Sequence, residues 1–244
     1  MGWIKKIIFG LIIIVILILI LGMFGNKKGS EPPINPPENN TNVYASTENP
    51  VSKGGRIIGF DYTPASDGDE NKALQIGKSA GMEAAQIFIH WQDIEKSPEQ
   101  YDSNAETFLT GKNTIYSANK IRGMLSVNAV DTVSNKMPSD LQGKAFDDPE
   151  VIERYNKMID WVLSKVENVD LVSISVGNEV DAYLGNDKTK WEQYNNFVNA
   201  VSQHIKETKP GAKVGVKSTL YGYIGNSKDE LIKLNENTDV ILVT

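Results

Sequence analysis

Six short apolar runs alternate with segments of helical periodicity, and this alternation constrains the fold more than any other feature of the sequence. Two of the intervening segments are clear amphipathic helices, because apolar residues recur at spacings of three and four over 151–166 and 191–205. A weaker helical stripe over 108–118 is interrupted by Gly111. Strands that alternate with helices indicate a parallel sheet with helical crossovers. The predicted strands are 56–61, 85–90, 122–128, 171–179, 213–216 and 239–244.

The side-chain alternation within the strands favours a closed barrel over an open, doubly wound sheet. In the fourth strand Val172, Ile174 and Val176 share an apolar face, and the other face carries small residues and finishes at Glu179. An apolar outer face beneath helices and a small inner face fit a (β/α)8 TIM-type barrel. The first strand is followed by DYTPASDGDE rather than by a glycine-rich phosphate loop, which argues against a dinucleotide-binding sheet. An open sheet could produce the same alternation, so the prediction of a barrel rests on the agreement among the second, third and fourth strands.

Three polar residues, His90, Asn128 and Glu179, finish their strands on the predicted inner side. Active sites of barrels lie at the carboxyl ends of the strands. A carboxyl group placed there can act as a general acid or base. From the spacing alone, a helix cap or an ion pair remains the simpler interpretation of Glu179.

The first 25 residues predict a membrane anchor. Residues 7–24 are almost wholly apolar, and about 20 apolar residues span a bilayer as a helix. A cleaved signal peptide is the alternative, but it usually ends in an A-x-A-like site, and none is visible. Residues 26–55 are rich in proline and asparagine and predict a linker, which leaves 56–244 as the globular domain. We therefore expect a domain held outside the cytoplasm at the cell surface by a membrane-inserted helix, or else a secreted domain.

Composition excludes several classes of function. The formal net charge is -6, and this balance repels phosphate backbones and argues against nucleic acid as a partner. The chain has no cysteine, which excludes disulfides and thiol catalysis. No group of histidine and carboxylate residues has metal-ligand spacing, so we expect neither a metal nor another cofactor.

The run SVGNEVD at the end of the fourth predicted strand resembles the Asn-Glu signature of clan A glycoside hydrolases, which are retaining (β/α)8-barrel enzymes. A second segment, IHWQDIEKSPEQYD, is similar to a pattern after the second strand of that clan, and Trp91, Glu95 and Tyr101 are among the matching positions. Pro98 and Gln100 depart from this second pattern, which indicates a divergent member. The resemblance covers roughly 56–244.

The resemblance implies roles for individual residues. Glu179 would protonate the leaving glycosidic oxygen and then deprotonate the attacking water, and Asn178 would hydrogen-bond a neighbouring sugar hydroxyl. The partner would be a carbohydrate, in the form of a β-linked polysaccharide or oligosaccharide. Expected at the sugar subsites are Asp61, His90, Trp91 and Asn128. Alternatives remain for three of these residues: Asp61 as a turn residue, His90 as a hydrogen-bonded neighbour of the site, and Trp91 as barrel packing.

A retaining glycosidase needs a second carboxylate, which the resemblance places on a seventh strand. The sixth predicted strand ends at Thr244, so we expect about six β/α units and no nucleophile in this chain. On that expectation the chain alone is poorly soluble and turns over negligibly, whereas the longer parent protein is the glycosidase. Two alternatives stay open. One is a non-catalytic carbohydrate-binding protein, and the other is an unrelated barrel enzyme such as an aldolase, for which Lys217 would be the catalytic lysine.

Overall fold

A computed structural model describes residues 54–61 and 68–244 of the chain. Its centre is a sheet of six strands in the order β1-β2-β5-β8-β9-β10, and every neighbouring pair is parallel. The sheet curls into a half-barrel, which confirms the predicted (β/α) class. Its strands are β1 (Gly59–Phe60), β2 (Ala84–His90), β5 (Arg122–Asn128), β8 (Leu171–Ser175), β9 (Lys213–Ser218) and β10 (Val240–Val243).

Two small antiparallel hairpins follow the second and third strands of this sheet. The first consists of β3 (Glu95–Ser97) and β4 (Gln100–Tyr101), and the second of β6 (Val130–Asp131) and β7 (Ser134–Asn135). The helices are α1 (Glu70–Ser79), α2 (Trp91–Ile94), α3 (Ser103–Asn119), α4 (Pro149–Lys165), α5 (Val180–Leu184), α6 (Lys188–Thr208), α7 (Leu220–Ile224) and α8 (Lys228–Leu234).

The two strongest predicted helices form as α4 and α6. Each of them begins directly after a capping aspartate. Asp148 accepts a hydrogen bond from the backbone N–H of Glu150, and Pro149 occupies the first helical turn, where its missing N–H costs nothing. Asp187 caps α6 in the same way through the N–H of Lys190. Gly111 does not interrupt α3, which runs without a break through that position.

Three tyrosines join the helices to the sheet. Tyr116 of α3, Tyr155 of α4 and Tyr194 of α6 are fully buried, and each donates its hydroxyl to a carbonyl at a strand. The accepting oxygens belong to Gln86, Val127 and Val176, at 2.8, 2.7 and 3.1 Å. Burial raises the pKa of both Tyr155 and Tyr194. Each ring thus contributes apolar area to the core while its polar atom stays hydrogen-bonded.

The predicted alternation holds in β2 and β5. Ile87 and Leu125 point to the buried side beneath the helices, whereas Gln86, Phe88 and Met124 line a cavity on the inner face. The fourth predicted strand is shorter than expected, because β8 ends at Ser175 rather than at Glu179.

Gly177 marks the place where the alternation of β8 fails. A Cβ atom at Gly177 would collide with the hydroxyl of Tyr194 and would lie 2.7 Å from Cγ1 of Val180. Gly177 therefore faces helix α6 and not the inner side, where the sequence pattern placed it. Glu179 reaches the cleft by a turn of the backbone, and not as the next inward residue of a strand.

The predicted membrane anchor over 1–25 lies outside the described residues, as does nearly all of the predicted linker over 26–55. Within 54–61 and 68–244, no helix is long and apolar enough to span a membrane.

Candidate active site

A cleft of about 600 Å³ opens on the inner face of the half-barrel, at the carboxyl ends of the strands. Every strand of the six-stranded sheet, or the residues directly after it, contributes to the walls. Its lining consists of Asp61, Gln86, Phe88, Met124, Asn178, Glu179, Lys217, Leu242, Val243 and Thr244. This location is where barrel enzymes hold their active sites. Three of the predicted site residues, Asp61, Asn178 and Glu179, meet in it.

Glu179 stands at the end of a left-handed turn, with φ 49° and ψ 44°. It precedes helix α5, but its side chain makes no capping hydrogen bond. Its two carboxylate oxygens instead accept hydrogen bonds from hydroxyl groups: Oε2 from Thr132 and Oε1 from Thr244, each at 3.0 Å. The helix-cap interpretation of Glu179 is therefore wrong. The left-handed backbone, which costs a non-glycine residue on the order of 1–3 kcal/mol, turns this carboxylate into the cleft.

Asn178 is held by the hairpin β6–β7. Its Nδ2 donates to Oδ1 of Asp131 at 2.8 Å, and its backbone N–H donates to the carbonyl of Val130 at 3.0 Å. The backbone N–H of Thr132 in turn donates to the carbonyl of Asn178 at 3.0 Å. The hairpin thus continues the parallel pairing beyond the end of β8. One N–H of Nδ2 is used by Asp131, which leaves the second N–H and the acceptor Oδ1 of Asn178 available to a ligand hydroxyl.

Asp131 connects Asn178 to His90. Oδ2 of Asp131 lies 2.9 Å from Nε2 of His90, whose Nδ1 lies 3.0 Å from Oδ2 of Asp93. Partial burial acts to raise the pKa of Asp131, but the hydrogen bonds from Asn178 and His90 outweigh it and hold that pKa below its usual range. His90 itself does not line the cleft within the described residues. It occupies the position of a hydrogen-bonded neighbour of the site, which was the alternative to direct sugar contact.

Trp91 and Asn128 are not brought to the cleft. Trp91 is fully buried, packs edge-on against Tyr155 with ring centroids 5.1 Å apart, and donates its indole N–H to Oε2 of Glu95 at 2.7 Å. Asn128 is also fully buried, and its Oδ1 accepts from Ser126 Oγ at 2.8 Å. Neither side chain has a surface available for a sugar. For Trp91, the barrel-packing alternative describes the observed position.

In the segment IHWQDIEKSPEQYD, Glu95 takes part in a cluster of ion pairs with Arg154 of helix α4. Glu95 is almost completely buried, and its Oε1 accepts from Nε of Arg154 at 3.3 Å and from the backbone N–H of Glu99 at 3.1 Å. Arg154 also pairs with Asp140 at 2.5 Å. These residues fix the β3–β4 hairpin to helix α4, so their role in this structure is to hold the framework of the site.

Sequence reasoning missed two residues that contact the carboxylate of Glu179, namely Thr132 and Thr244, and it missed Asp131, which orients the amide of Asn178. Asp131 and Thr132 lie three and four residues after the third strand ends at Asn128, which was the available signal, since strand ends converge at one edge of a parallel sheet. Lys217 was noticed only as a catalytic lysine of an unrelated enzyme. Burial lowers the pKa of Lys217, although the charges of Asp61 and Asp131 act in the opposite direction.

No protein-family model matches the chain, and none of the curated proteins is similar to it in sequence. Solved structures are similar in fold. A GH5_18 protein from Bifidobacterium longum subsp. longum ATCC 55813, in complex with Manβ1-4GlcNAc, superimposes with a TM-score of 0.61 at 11% identity over 77% of this chain and 49% of that chain.

Two further structures give the same picture. The exo-β-1,4-mannosidase Op5Man5 from Opitutaceae bacterium strain TAV5 has a TM-score of 0.57 at 23% identity, over 70% of this chain and 33% of its own. A β-glucosidase, 1317, has a TM-score of 0.54 at 12% identity, over 70% of this chain and 53% of its own. The chain thus spans between a third and about half of the length of these proteins. Its described part has the parallel (β/α)-barrel fold of GH5 glycoside hydrolases, over the portion of that fold that the sequence covers.

Proposed function

We propose that this protein is a glycoside hydrolase in which Glu179 is the general acid/base. The observation that carries the proposal is the fixed position of the Glu179 carboxylate in a cleft at the strand ends, with Thr132 and Thr244 donating to its two oxygens. The side chain of Glu179 does not cap its helix, and two hydroxyl groups hold it toward an open cleft. The carboxylate is therefore positioned to exchange a proton with a bound ligand. The likeness in fold to glycoside hydrolases supports the same conclusion.

In the proposed reaction, Glu179 donates its proton to the glycosidic oxygen as the bond to the anomeric carbon breaks. In the second step it removes a proton from water, which attacks the anomeric carbon. The side-chain amide of Asn178 hydrogen-bonds the sugar hydroxyl next to the reacting carbon through Oδ1 or through the second N–H of Nδ2. Asp131 holds the orientation of the amide through the first N–H.

A retaining mechanism also needs a nucleophilic carboxylate roughly 5–5.5 Å from the acid. Among the cleft-lining residues of the described part, Asp61 and Glu179 carry the carboxylates. The resemblance to clan A assigns the nucleophile to a glutamate on a seventh strand, and the described sheet has six strands. We therefore assign the acid/base role to Glu179 and attribute turnover to the whole protein, with the nucleophile supplied by a further strand.

The proposed substrate is a β-linked oligosaccharide or polysaccharide. Among the structures of similar fold, one was solved with Manβ1-4GlcNAc, one is an exo-β-1,4-mannosidase and one is a β-glucosidase. We also propose, from the predicted membrane anchor over residues 1–25, that this activity lies outside the cytoplasm at the cell surface, close to external polysaccharides.

A test of the acid/base role uses aryl β-mannosides and β-glucosides whose leaving groups differ in basicity. Glu179→Ala should lose about 10²- to 10⁴-fold in kcat/KM on a poor leaving group and far less on dinitrophenolate, which departs without protonation. Azide should restore turnover and yield the β-glycosyl azide. The control is Glu192→Ala, because Glu192 is exposed on helix α6 outside the cleft. Equal losses on good and poor leaving groups, without azide rescue, would refute the acid/base assignment.

A non-catalytic carbohydrate-binding protein is the second candidate. It is favoured by one observation, namely that Glu179 is the sole glutamate that lines the cleft in the described part of the chain. Such a protein binds β-linked oligosaccharides without hydrolysing them, and Glu179→Gln leaves its affinity unchanged. Sugar binding without any release of reducing ends would select this candidate.

A further inference from the structure

Lys217 projects into the same cleft as Glu179 from the neighbouring strand β9. Its backbone N–H donates to the carbonyl of Gly177 and to Oγ of Ser175, both at 3.2 Å, which fixes it beside the residues that lead to Glu179. On its other side it lies in register with Leu242 of β10. The strand pairing on both sides therefore fixes the backbone position from which the side chain of Lys217 extends.

The side chain of Lys217 crosses the inner face of the half-barrel. Its Nζ lies 5.3 Å from the centroid of the Phe88 ring on β2, and Met124 of the intervening strand β5 lines the same cleft. Within residues 54–61 and 68–244, Nζ has neither a hydrogen bond nor an ion pair. The π face of Phe88 attracts the charge but offers no lone pair, so the donors of Lys217 lack an acceptor.

Burial works against the charge of Lys217 and lowers its pKa, while Asp61 and Asp131 favour the charge from a distance. A half-buried amine without an acceptor is unfavourable, and a ligand that brings an oxygen to it removes this cost. Both protonation states of the amine carry N–H donors, so the side chain can donate to a ligand oxygen in either state.

The charge of the cleft selects between the two kinds of oxygen that a sugar can present. Asp61 and Glu179 line the cleft together with Lys217, and Asp131 is hydrogen-bonded to the cleft residue Asn178, so in the described part of the chain three carboxylates lie in or next to a cleft that one lysine lines. The carboxylate of a uronic acid would be repelled by these groups, whereas a hydroxyl oxygen would not.

We propose that Lys217 is a specificity-determining residue whose amine binds a hydroxyl oxygen of a neutral sugar while the glycosidic oxygen of that sugar meets Glu179. This inference rests on the proposed carbohydrate function and adds a substrate class and a contact residue to it.

The variants Lys217→Met and Lys217→Arg, made in the full chain, test this proposal. Methionine keeps the apolar stem and removes the donors, and arginine keeps the donors and the charge. Lys213→Met is the matched control, because Lys213 lies on the same strand and is exposed. Calorimetric titrations with a neutral β1,4-linked mannotetraose or cellotetraose, and with methyl β-D-glucuronide, supply the dissociation constants. Acetylation of each lysine with and without the tetrasaccharide, read by mass spectrometry, reports contact in the unmutated protein.

We expect Lys217→Met to weaken binding of the neutral tetrasaccharide about tenfold or more, Lys217→Arg to retain part of the affinity, and Lys213→Met to match the wild type. The tetrasaccharide should protect Lys217, but not Lys213, from acetylation.

Unchanged affinity of Lys217→Met, with no protection of Lys217, would overturn the inference and leave the proposed function intact. Tighter binding of the glucuronide than of the neutral sugar would overturn the neutral-sugar assignment. If both Lys217 variants lost affinity and melting temperature equally, and the tetrasaccharide did not protect Lys217 from acetylation, Lys217 would contribute to packing and not to sugar contact. If the wild type bound no sugar, the proposed function and this inference would fail together.

Discussion

Thr132 and Glu179 face each other with both backbones in the left-handed region, at φ 53° and φ 49°, and a hydrogen bond of 3.0 Å joins Oγ1 of the threonine to Oε2 of the glutamate. Left-handed backbone is uncommon for residues other than glycine and especially for a β-branched residue. The pairing of Asp131 with Asn178 holds the two turns side by side. Two strained residues that meet at one carboxylate indicate that the surrounding structure is built to position it.

The hydroxyl of Thr132 should matter for turnover more than for folding. Thr132→Val removes the donor to Glu179 and keeps the shape, so we expect kcat to fall about tenfold, with much of the loss restored by Thr132→Ser. Thr132→Gly separates the two effects, since glycine relieves the left-handed backbone but also lacks the hydroxyl. It should be at least as stable as Thr132→Val in urea unfolding and equally impaired in kcat. Full activity of Thr132→Gly would show that the hydrogen bond does not contribute to catalysis.

Two glycines should respond in opposite ways to alanine. At Gly177 the added methyl group meets the hydroxyl of Tyr194 and the side chain of Val180, so Gly177→Ala should lower the free energy of unfolding by about 1–3 kcal/mol. At Gly111, in helix α3, the added Cβ has open space around it, and Gly111→Ala should raise the free energy of unfolding by about 0.5–1 kcal/mol. Thermal and urea unfolding of both variants measure this difference. A harmless Gly177→Ala would mean that Tyr194 does not pack against the turn to Glu179.

These two glycines also show what the sequence could and could not predict. Periodicity predicted the order of strands and helices, and the observed strand β5 has the predicted bounds of 122–128. Periodicity also predicted a helix over 108–118, where the helix forms and runs through Gly111, because a glycine weakens a helix without ending it. Periodicity erred at Gly177, where the alternation fails beside Tyr194 and the strand ends four residues before the predicted end at Glu179.

Within the candidate site, the residues at strand ends were predictable and their partners were not. Glu179 was predicted from the end of its strand and Asn178 from the resemblance of its motif, although a turn after β8, and not the alternation of the strand, brings Glu179 to the cleft. The hydrogen bonds to Asp131 and Thr132 depend on a short hairpin that has no periodic signal. Trp91 was expected at a sugar subsite, but its burial depends on Tyr155, which lies more than sixty residues away in the sequence. Contacts between elements distant along the chain decide such cases.

The network around Asp131 predicts a specific dependence of stability on pH. The pKa of Asp131 is lower in the folded protein than its usual value of 3.8. A carboxyl group of this kind stabilises the fold above its unfolded-state pKa, and that stabilisation is lost as the pH falls through the folded-state pKa. The wild type should therefore exceed Asp131→Asn in free energy of unfolding at pH 7, and the difference should shrink below about pH 4. Urea unfolding at pH 7 and pH 3 tests this, with exposed Asp229→Asn as control. A difference that grew on acidification would contradict the proposed network.

The buried pair of Glu95 and Arg154 should be far more sensitive to mutation than a surface pair on the same helix. Arg154→Met leaves the carboxylate of Glu95, which is 1% exposed, without its cationic partner, so we expect a loss of about 3–5 kcal/mol in the free energy of unfolding. Lys157→Met removes the exposed pair with Glu99 and should cost no more than about 1 kcal/mol. Joint replacement of Glu95 by Gln and Arg154 by Met should recover part of the loss, because no uncompensated charge then remains. Equal effects of Arg154→Met and Lys157→Met in urea unfolding would mean that the cluster does not hold the β3–β4 hairpin against helix α4.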